Sequence, residues 1–141
     1  MKRTFLKLSA FLLFFTAGCN NADQQKAVAA SENDIDAARN FIQSALEGNY
    51  RDARKYIYSD SINLQYIDAF ERNYNERMDP EDKREYRQSS INISKVNQLN
   101  DSVTIVSYSN SYKKNIDSLK VIRVNQQWLV DLKYSFVNKQ D

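Results

Sequence analysis

The side chains with which this chain could do chemistry are its carboxylates, lysines, serines, threonines and nine tyrosines, together with a single cysteine, Cys19. The sequence has no histidine, which excludes Ser-His-Asp and Cys-His mechanisms and the common zinc sites. It has two glycines, Gly18 and Gly48, so it cannot build a glycine-rich phosphate loop. We therefore expect no cofactor and no metal site, and any catalysis would depend on Asp, Glu, Lys, Tyr, Ser or Thr.

Aromatic residues are the candidates for a binding site. A tyrosine ring offers a face for stacking and a hydroxyl for hydrogen bonding. The candidate pocket residues are Tyr56, Tyr66, Tyr74, Tyr108, Tyr134 and Trp128. They predict a pocket for a small apolar or aromatic ligand. The alternative is that the tyrosines fill a small core while their hydroxyls reach water or a carbonyl, because tyrosine is common at half-buried positions.

The first eighteen residues have the pattern of a secretory signal. A basic start is followed by an apolar stretch from Leu8 to Phe15 and by small residues up to Gly18. This stretch is shorter than the roughly 20 residues that a spanning helix needs. We therefore expect residues 1–18 to be a cleaved signal peptide and not a membrane span.

The segment T-A-G-C, which ends at Cys19, resembles the lipobox of bacterial lipoproteins. The resemblance implies cleavage before Cys19 and acylation of its sulfur and new amino group, with residues 19–33 as a lipidated tether. Two or more acyl chains hold a protein stably at a bilayer. Because Asn20 is not an aspartate, the resemblance also implies the outer membrane of the bacterial envelope. An ordinary signal with a chance cysteine is the alternative.

The charge of the mature chain argues against nucleic-acid binding. Three of the 20 Lys and Arg residues leave with the signal, so the remaining 17 face 18 Asp and Glu. The basic isoelectric point of about 8.6 therefore belongs to the precursor. Without a basic excess the mature chain has no general attraction for phosphates, and we expect no nucleic-acid partner.

The pattern of apolar residues predicts a change from helices to strands along the chain. They recur at three- and four-residue steps from Ile35 to Leu46, and Gly48 follows where a helix commonly ends. Further helices are predicted after Gly48, from about Ile62 to Met78, and from Pro80. From Ser90 onward the period is two, which predicts four antiparallel strands. The last strand is expected to carry Trp128, Val130, Leu132, Tyr134 and Phe136 on one face.

This order predicts one α+β domain over residues 34–137, with 138–141 as a tail. Two segments, A-L-E-G-N-Y-R-D-A-R-K-Y-I and N-Q-Q-W-L-V-D-L, resemble the nuclear-transport-factor-two-like superfamily, a cystatin-like fold that includes ketosteroid isomerase and SnoaL-like cyclases. The resemblance implies three or four helices packed on a curved four-stranded sheet, forming a cone that can hold a ligand. It also implies homodimers through the outer sheet face, where Leu129 and Val137 would lie.

The leading functional hypothesis is an envelope-anchored, non-catalytic domain that binds a protein partner or a small ligand, or acts as a scaffold. Enzymes of the resembling superfamily use a histidine or aspartate base with a tyrosine or acid as donor. Here histidine is absent, and strand parity places Asp131 on the face opposite Trp128. The alternative is an isomerase- or hydrolase-like enzyme with a pocket carboxylate and a tyrosine. A cavity that holds Asp or Glu beside tyrosine hydroxyls would favour it.

Overall fold

The long helices precede the strands in this chain, as the change of period predicts, and a short helix follows the last strand. The fold is known from a computed structural model, which describes residues 30–137. Cys19, the predicted signal peptide, most of the predicted tether and the predicted tail lie outside the described residues. The helices are α1 (Asp34–Leu46), α2 (Tyr50–Ala53), α3 (Ser61–Arg77), α4 (Pro80–Arg87) and α5 (Lys133–Val137), and a 3-10 turn spans Arg54–Tyr56. The strands are β1 (Ile91–Asn100), β2 (Val103–Asn110), β3 (Asp117–Val124) and β4 (Gln127–Asp131).

Side-chain caps explain where the three longest helices begin. Asn33 accepts a hydrogen bond from the Asp36 backbone N–H at 2.9 Å and so starts α1. Asp60 does the same for α3, accepting from the N–H groups of Ile62 and Asn63. Asp79 caps α4, and Pro80 occupies the first helical position, where its missing N–H has no cost. The starts of these helices are thus determined by neighbouring residues and can be predicted from the sequence.

The four strands form one antiparallel sheet in the order β1-β2-β3-β4. The inner face is marked by pairs of apolar residues that lie directly opposite each other, Val106 with Leu119 and Val121 with Val130. All four of these side chains are buried in the core. Helix α1 covers this face with Ala37, Ala38, Phe41, Ile42 and Leu46. The α+β class predicted from the sequence is therefore confirmed.

The last strand is shorter than predicted. β4 ends at Asp131 and Lys133–Val137 forms α5, so Tyr134 and Phe136 belong to a helix and not to the strand of Trp128. The Asp131 side chain accepts from the Lys133 backbone N–H at 3.3 Å, which is the bond that turns a chain at an aspartate. The predicted strand was wrong from Leu132 onward because this turn overrides the alternating pattern.

The outer face of the sheet is more apolar than predicted. Val103, Ile122 and Leu129 lie side by side across β2, β3 and β4, and all three are half-buried. Val137 belongs to α5 and not to this strand face. Homodimerisation through the outer face stays a prediction, and sedimentation velocity of the full chain would test it.

Candidate functional site

A cavity of about 300 Å³ lies between the helices and one end of the sheet. Its volume falls at the lower end of the range of about 300–1,000 Å³ that is usual for small-molecule sites. Five tyrosines line it: Tyr50, Tyr74, Tyr86, Tyr108 and Tyr112. Apolar lining comes from α1 and α3, including Phe41, Ile42, Leu46 and Phe70. The hollow is therefore lined by aromatic and aliphatic side chains together.

Four of the tyrosines touch one another in a row. The ring centroids of Tyr50 and Tyr74 are 5.7 Å apart, those of Tyr74 and Tyr86 are 6.2 Å apart, and those of Tyr86 and Tyr112 are 5.6 Å apart. The first and last pairs meet edge to face, with interplanar angles of 61° and 79°. Such contacts contribute about 0.5–1.5 kcal/mol each beyond area burial. Because the four rings come from α2, α3, α4 and the turn after β2, they join these elements into one wall.

Gly48 lets this wall approach the end of α1. Its φ is +73°, in the left-handed region that closes a helix. A Cβ at this position would lie 2.5 Å from the Cε1 and Cζ atoms of Tyr74. The Tyr74 ring thus occupies the space that a side chain would fill. On α4, the Lys83 ammonium lies 5.5 Å from the centroid of the same ring.

Tyr108 and Asp117 form the sheet side of the cavity. They lie directly opposite each other in the register of β2 and β3. Burial raises the pKa of the Tyr108 hydroxyl, and the nearby negative charge of Asp117 raises it further. Burial and then the charge of Asp117 raise the pKa of Tyr86 as well. Both hydroxyls therefore stay protonated at neutral pH and act as hydrogen-bond donors and not as bases.

The rim of the cavity is polar. The Tyr112 hydroxyl donates a hydrogen bond to the Asp82 carboxylate at 2.9 Å, which ties the turn after β2 to the first turn of α4. This hydrogen bond is the main reason that the pKa of Tyr112 is raised. The Lys113 backbone N–H donates to Asn110 Oδ1 at 2.8 Å, and the Lys113 side chain is exposed. The rim thus holds the only lysine among the described residues that line the cavity.

The structure separates the predicted pocket residues into three places. Tyr74 and Tyr108 line the cavity. Tyr56 and Trp128 line a second, smaller hollow of about 140 Å³. The Arg123 guanidinium lies 5.6 Å from the Trp128 ring centroid. Tyr66 and Tyr134 are half-buried and line neither hollow.

Sequence reasoning missed Tyr50, Tyr86 and Tyr112 as pocket residues, and it missed Asp117. A usable signal existed for the aspartate. Asp117, Leu119 and Val121 alternate along β3, so they share one face of the strand. Since Leu119 and Val121 are core residues, this parity places Asp117 on the inner face. No local signal marks the three tyrosines, because only the packing of helices brings them together.

Asp131, which the sequence analysis considered as a catalytic base, has a structural role and does not line the cavity. It pairs with Lys120 across the strands, on the face opposite the buried Val121–Val130 pair, as strand parity predicts. Its carboxylate accepts from the Asn63 side-chain amide at 3.3 Å and lies 3.6 Å from the Lys133 ammonium. The carboxylate inside the cavity is Asp117.

The family model described as "Domain of unknown function (DUF4878)" matches residues 27–131, about three quarters of the chain. The chain belongs to this family. The DUF4878 match includes all five cavity tyrosines and Asp117, and it ends where β4 ends. Comparison with curated proteins gives no match, and comparison with solved structures gives none. The family description assigns no activity, so the function has to be argued from the site.

Two further observations concern the part of the chain that the structure describes. Between residues 30 and 137, no helix has both the length and the apolar character to cross a bilayer. Within the same residues, no three His, Cys, Asp or Glu side chains gather in a way that would hold a metal ion. The polar side-chain groups of the described cavity lining are tyrosine hydroxyls, the Ser135 hydroxyl, side-chain amides, one carboxylate and one ammonium.

Proposed function

We propose that this DUF4878 protein is a lipid-anchored protein of the bacterial envelope whose folded domain binds a small molecule with an apolar or aromatic group. The observation that carries the binding proposal is the cavity of about 300 Å³ with five tyrosines in its walls. The anchor proposal rests on the resemblance of T-A-G-C to a lipobox, with Cys19 as the acylated residue. The two halves are independent and are tested separately.

The composition of the walls supports a ligand site. Small-molecule sites are mostly apolar and aromatic, with a few polar groups that orient the ligand. Here Phe41, Ile42 and the tyrosines supply the apolar surface, whereas Asn73, Asn110 and Asp117 supply the polar groups. A scaffold domain would be expected to fill such a volume with side chains, because protein interiors are close-packed.

The arrangement of the walls indicates that the site is formed before a ligand arrives. The tyrosine row links α2, α3, α4 and the turn after β2 through ring contacts of 5.6–6.2 Å. The hydrogen bond from Tyr112 to Asp82 fixes the rim. A preformed site binds without a large cost of ordering loops and side chains.

Filling the cavity tests the binding proposal. Ala45 lies on α1 and lines the cavity, so Ala45→Phe would place a ring inside it. Indole, a neutral aromatic probe, is titrated into the full chain while the NMR signals of Tyr74 and Tyr108 are followed. We expect indole to shift these signals and to bind at least tenfold more weakly to Ala45→Phe, because the added ring takes its space.

The matched control is Ala69→Phe, since Ala69 is exposed on α3 and does not line the cavity. It makes the same substitution on the surface and should leave indole affinity unchanged. Equal affinity in Ala45→Phe and the wild type would contradict the proposal. So would the absence of any shift of Tyr74 and Tyr108 at millimolar indole.

An enzyme that moves a proton is the second candidate. The specific observation in its favour is that Asp117 lies beside two protonated tyrosines, Tyr86 and Tyr108, in the cavity. A carboxylate can accept a proton from carbon while a tyrosine hydroxyl donates a hydrogen bond to the developing oxyanion. Deuterium uptake at the saturated carbon next to the carbonyl of cyclohexenone (the α′-carbon, C6) in D₂O discriminates the two candidates. A catalyst would speed the uptake and lose the effect in Asp117→Asn, whereas a binding protein would leave the background rate unchanged.

A further inference from the structure

We propose that the ligand of the tyrosine-lined cavity is an organic cation, an amine or quaternary ammonium group attached to an apolar body about the size of one ring. The inference rests on the proposed binding function and names the class of ligand. Asp117 would face the positive charge, and the tyrosine rings would surround it. Two features of the cavity support this inference: the positions of its charged residues and the aromatic character of its walls.

The two charged residues among the described lining residues lie at different depths. Asp117 is half-buried on β3, directly opposite Tyr108. Lys113 is exposed in the turn after β2. Among the described lining residues, the carboxylate thus belongs to the less exposed residue and the ammonium to the more exposed one. An anionic ligand that entered fully would meet the Asp117 carboxylate, whereas a cation would be attracted to it.

The aromatic walls favour the same sign of charge. The face of a tyrosine ring is the negative end of its quadrupole and attracts ammonium groups within about 6 Å of the centroid. One such contact is present within the protein, since the Lys83 ammonium lies 5.5 Å from the centroid of the Tyr74 ring. Clusters of aromatic rings are a general means of binding quaternary ammonium groups.

The tyrosine hydroxyls add no second charge. Burial raises the pKa of Tyr50, Tyr86 and Tyr108, so none of these rings carries an oxyanion at neutral pH. Asp117 therefore supplies the negative charge among the described groups of the cavity. A site with one carboxylate and neutral rings matches a monovalent cation better than a divalent metal ion, which requires several oxygen ligands.

Two probes of the same shape test the inference. Phenyltrimethylammonium and tert-butylbenzene differ in one atom, nitrogen against carbon, and hence in charge. Each is titrated into the full chain held in phosphatidylcholine nanodiscs, with the NMR signals of Tyr74 and Tyr108 as the readout. We expect phenyltrimethylammonium to bind at least tenfold more tightly than tert-butylbenzene.

Asp117→Asn separates the charge from the shape of the cavity. The substitution keeps the size of the side chain, so tert-butylbenzene should bind as in the wild type and thereby report an intact cavity. Phenyltrimethylammonium should lose at least tenfold in affinity. The matched control is Asp101→Asn, which removes the same charge from the exposed turn before β2, at the end of β2 that is away from the cavity. It should leave the affinity for both probes unchanged.

The outcomes distinguish this inference from the binding function on which it rests. If tert-butylbenzene or indole binds and phenyltrimethylammonium binds no better, the site is real and the cation inference is overturned. An Asp117→Asn variant that keeps full affinity for phenyltrimethylammonium also overturns it. If none of the three probes binds, the proposed function itself fails and the inference fails with it.

Discussion

Gly48 lies where the end of α1 meets the aromatic wall. We predict that Gly48→Ala lowers the free energy of unfolding by about 1–3 kcal/mol, because alanine in the left-handed region is strained. The added methyl would also lie 2.5 Å from the Tyr74 ring and displace it. Urea denaturation of the full chain measures the change in stability, and the NMR signals of Tyr74 report the displacement.

Gln65→Ala is the control for this substitution, because Gln65 is exposed within α3. Alanine is favourable in a helix, so the control should change stability by less than about 0.5 kcal/mol. If Gly48→Ala were as stable as the wild type and left the Tyr74 signals in place, the close approach of ring and backbone would be refuted.

The first turn of α3 holds the end of β4 and the start of α5 through Asn63. This side chain is fully buried. Its Oδ1 accepts from the Leu132 backbone N–H at 2.7 Å, and its amide donates to the Asp131 carboxylate at 3.3 Å. One residue thus satisfies a backbone donor and a carboxylate that are distant in the sequence. The tertiary contact, and not the local sequence, positions the C-terminal helix.

We predict that Asn63→Leu destabilises the fold by about 1–3 kcal/mol, because it leaves the buried Leu132 N–H without an acceptor. Hydrogen exchange at the Leu132 amide and along Lys133–Val137 should become faster than in the wild type. Asn75→Leu is the control, since Asn75 lies on the exposed side of the same helix. Unchanged protection of the Leu132 amide in Asn63→Leu would show that another group holds this junction.

The order and type of most elements could be predicted, because apolar spacing and capping residues act locally. Asn33, Asp60 and Asp79 each cap the helix that follows them. The end of β4 could not be predicted, since it depends on the turn at Asp131 and on Asn63, which is distant in the sequence. A period of two describes a strand only until such a contact ends it.

The cavity shows the same division between local and tertiary information. The face of Asp117 follows from strand parity with its core neighbours, Leu119 and Val121. The convergence of Tyr50, Tyr86 and Tyr112 cannot be predicted in this way, because each tyrosine is on a different element. The angles between those elements decide which rings meet. A tyrosine-rich composition predicts that a pocket would be aromatic, but it does not predict which tyrosines line it.

The proposed envelope location of the protein rests on Cys19, which lies outside the described residues. We predict that Cys19→Ala abolishes palmitate labelling and moves the protein from the membrane fraction to the soluble fraction, since stable anchoring requires two or more acyl chains and the substitution removes their attachment. Mass spectrometry of the native N-terminus should find an acylated cysteine as the first residue.

Asn21→Ala is the matched control for the anchor, because it changes a neighbouring residue and keeps the cysteine. It should retain both the label and the membrane fractionation, and globomycin, which blocks the lipoprotein signal peptidase, should cause the unprocessed precursor to accumulate. Membrane association that survives in Cys19→Ala would mean that a protein surface holds the molecule at the bilayer. In that case the cavity could still bind its ligand, but the acyl chains would have no part in placing it there.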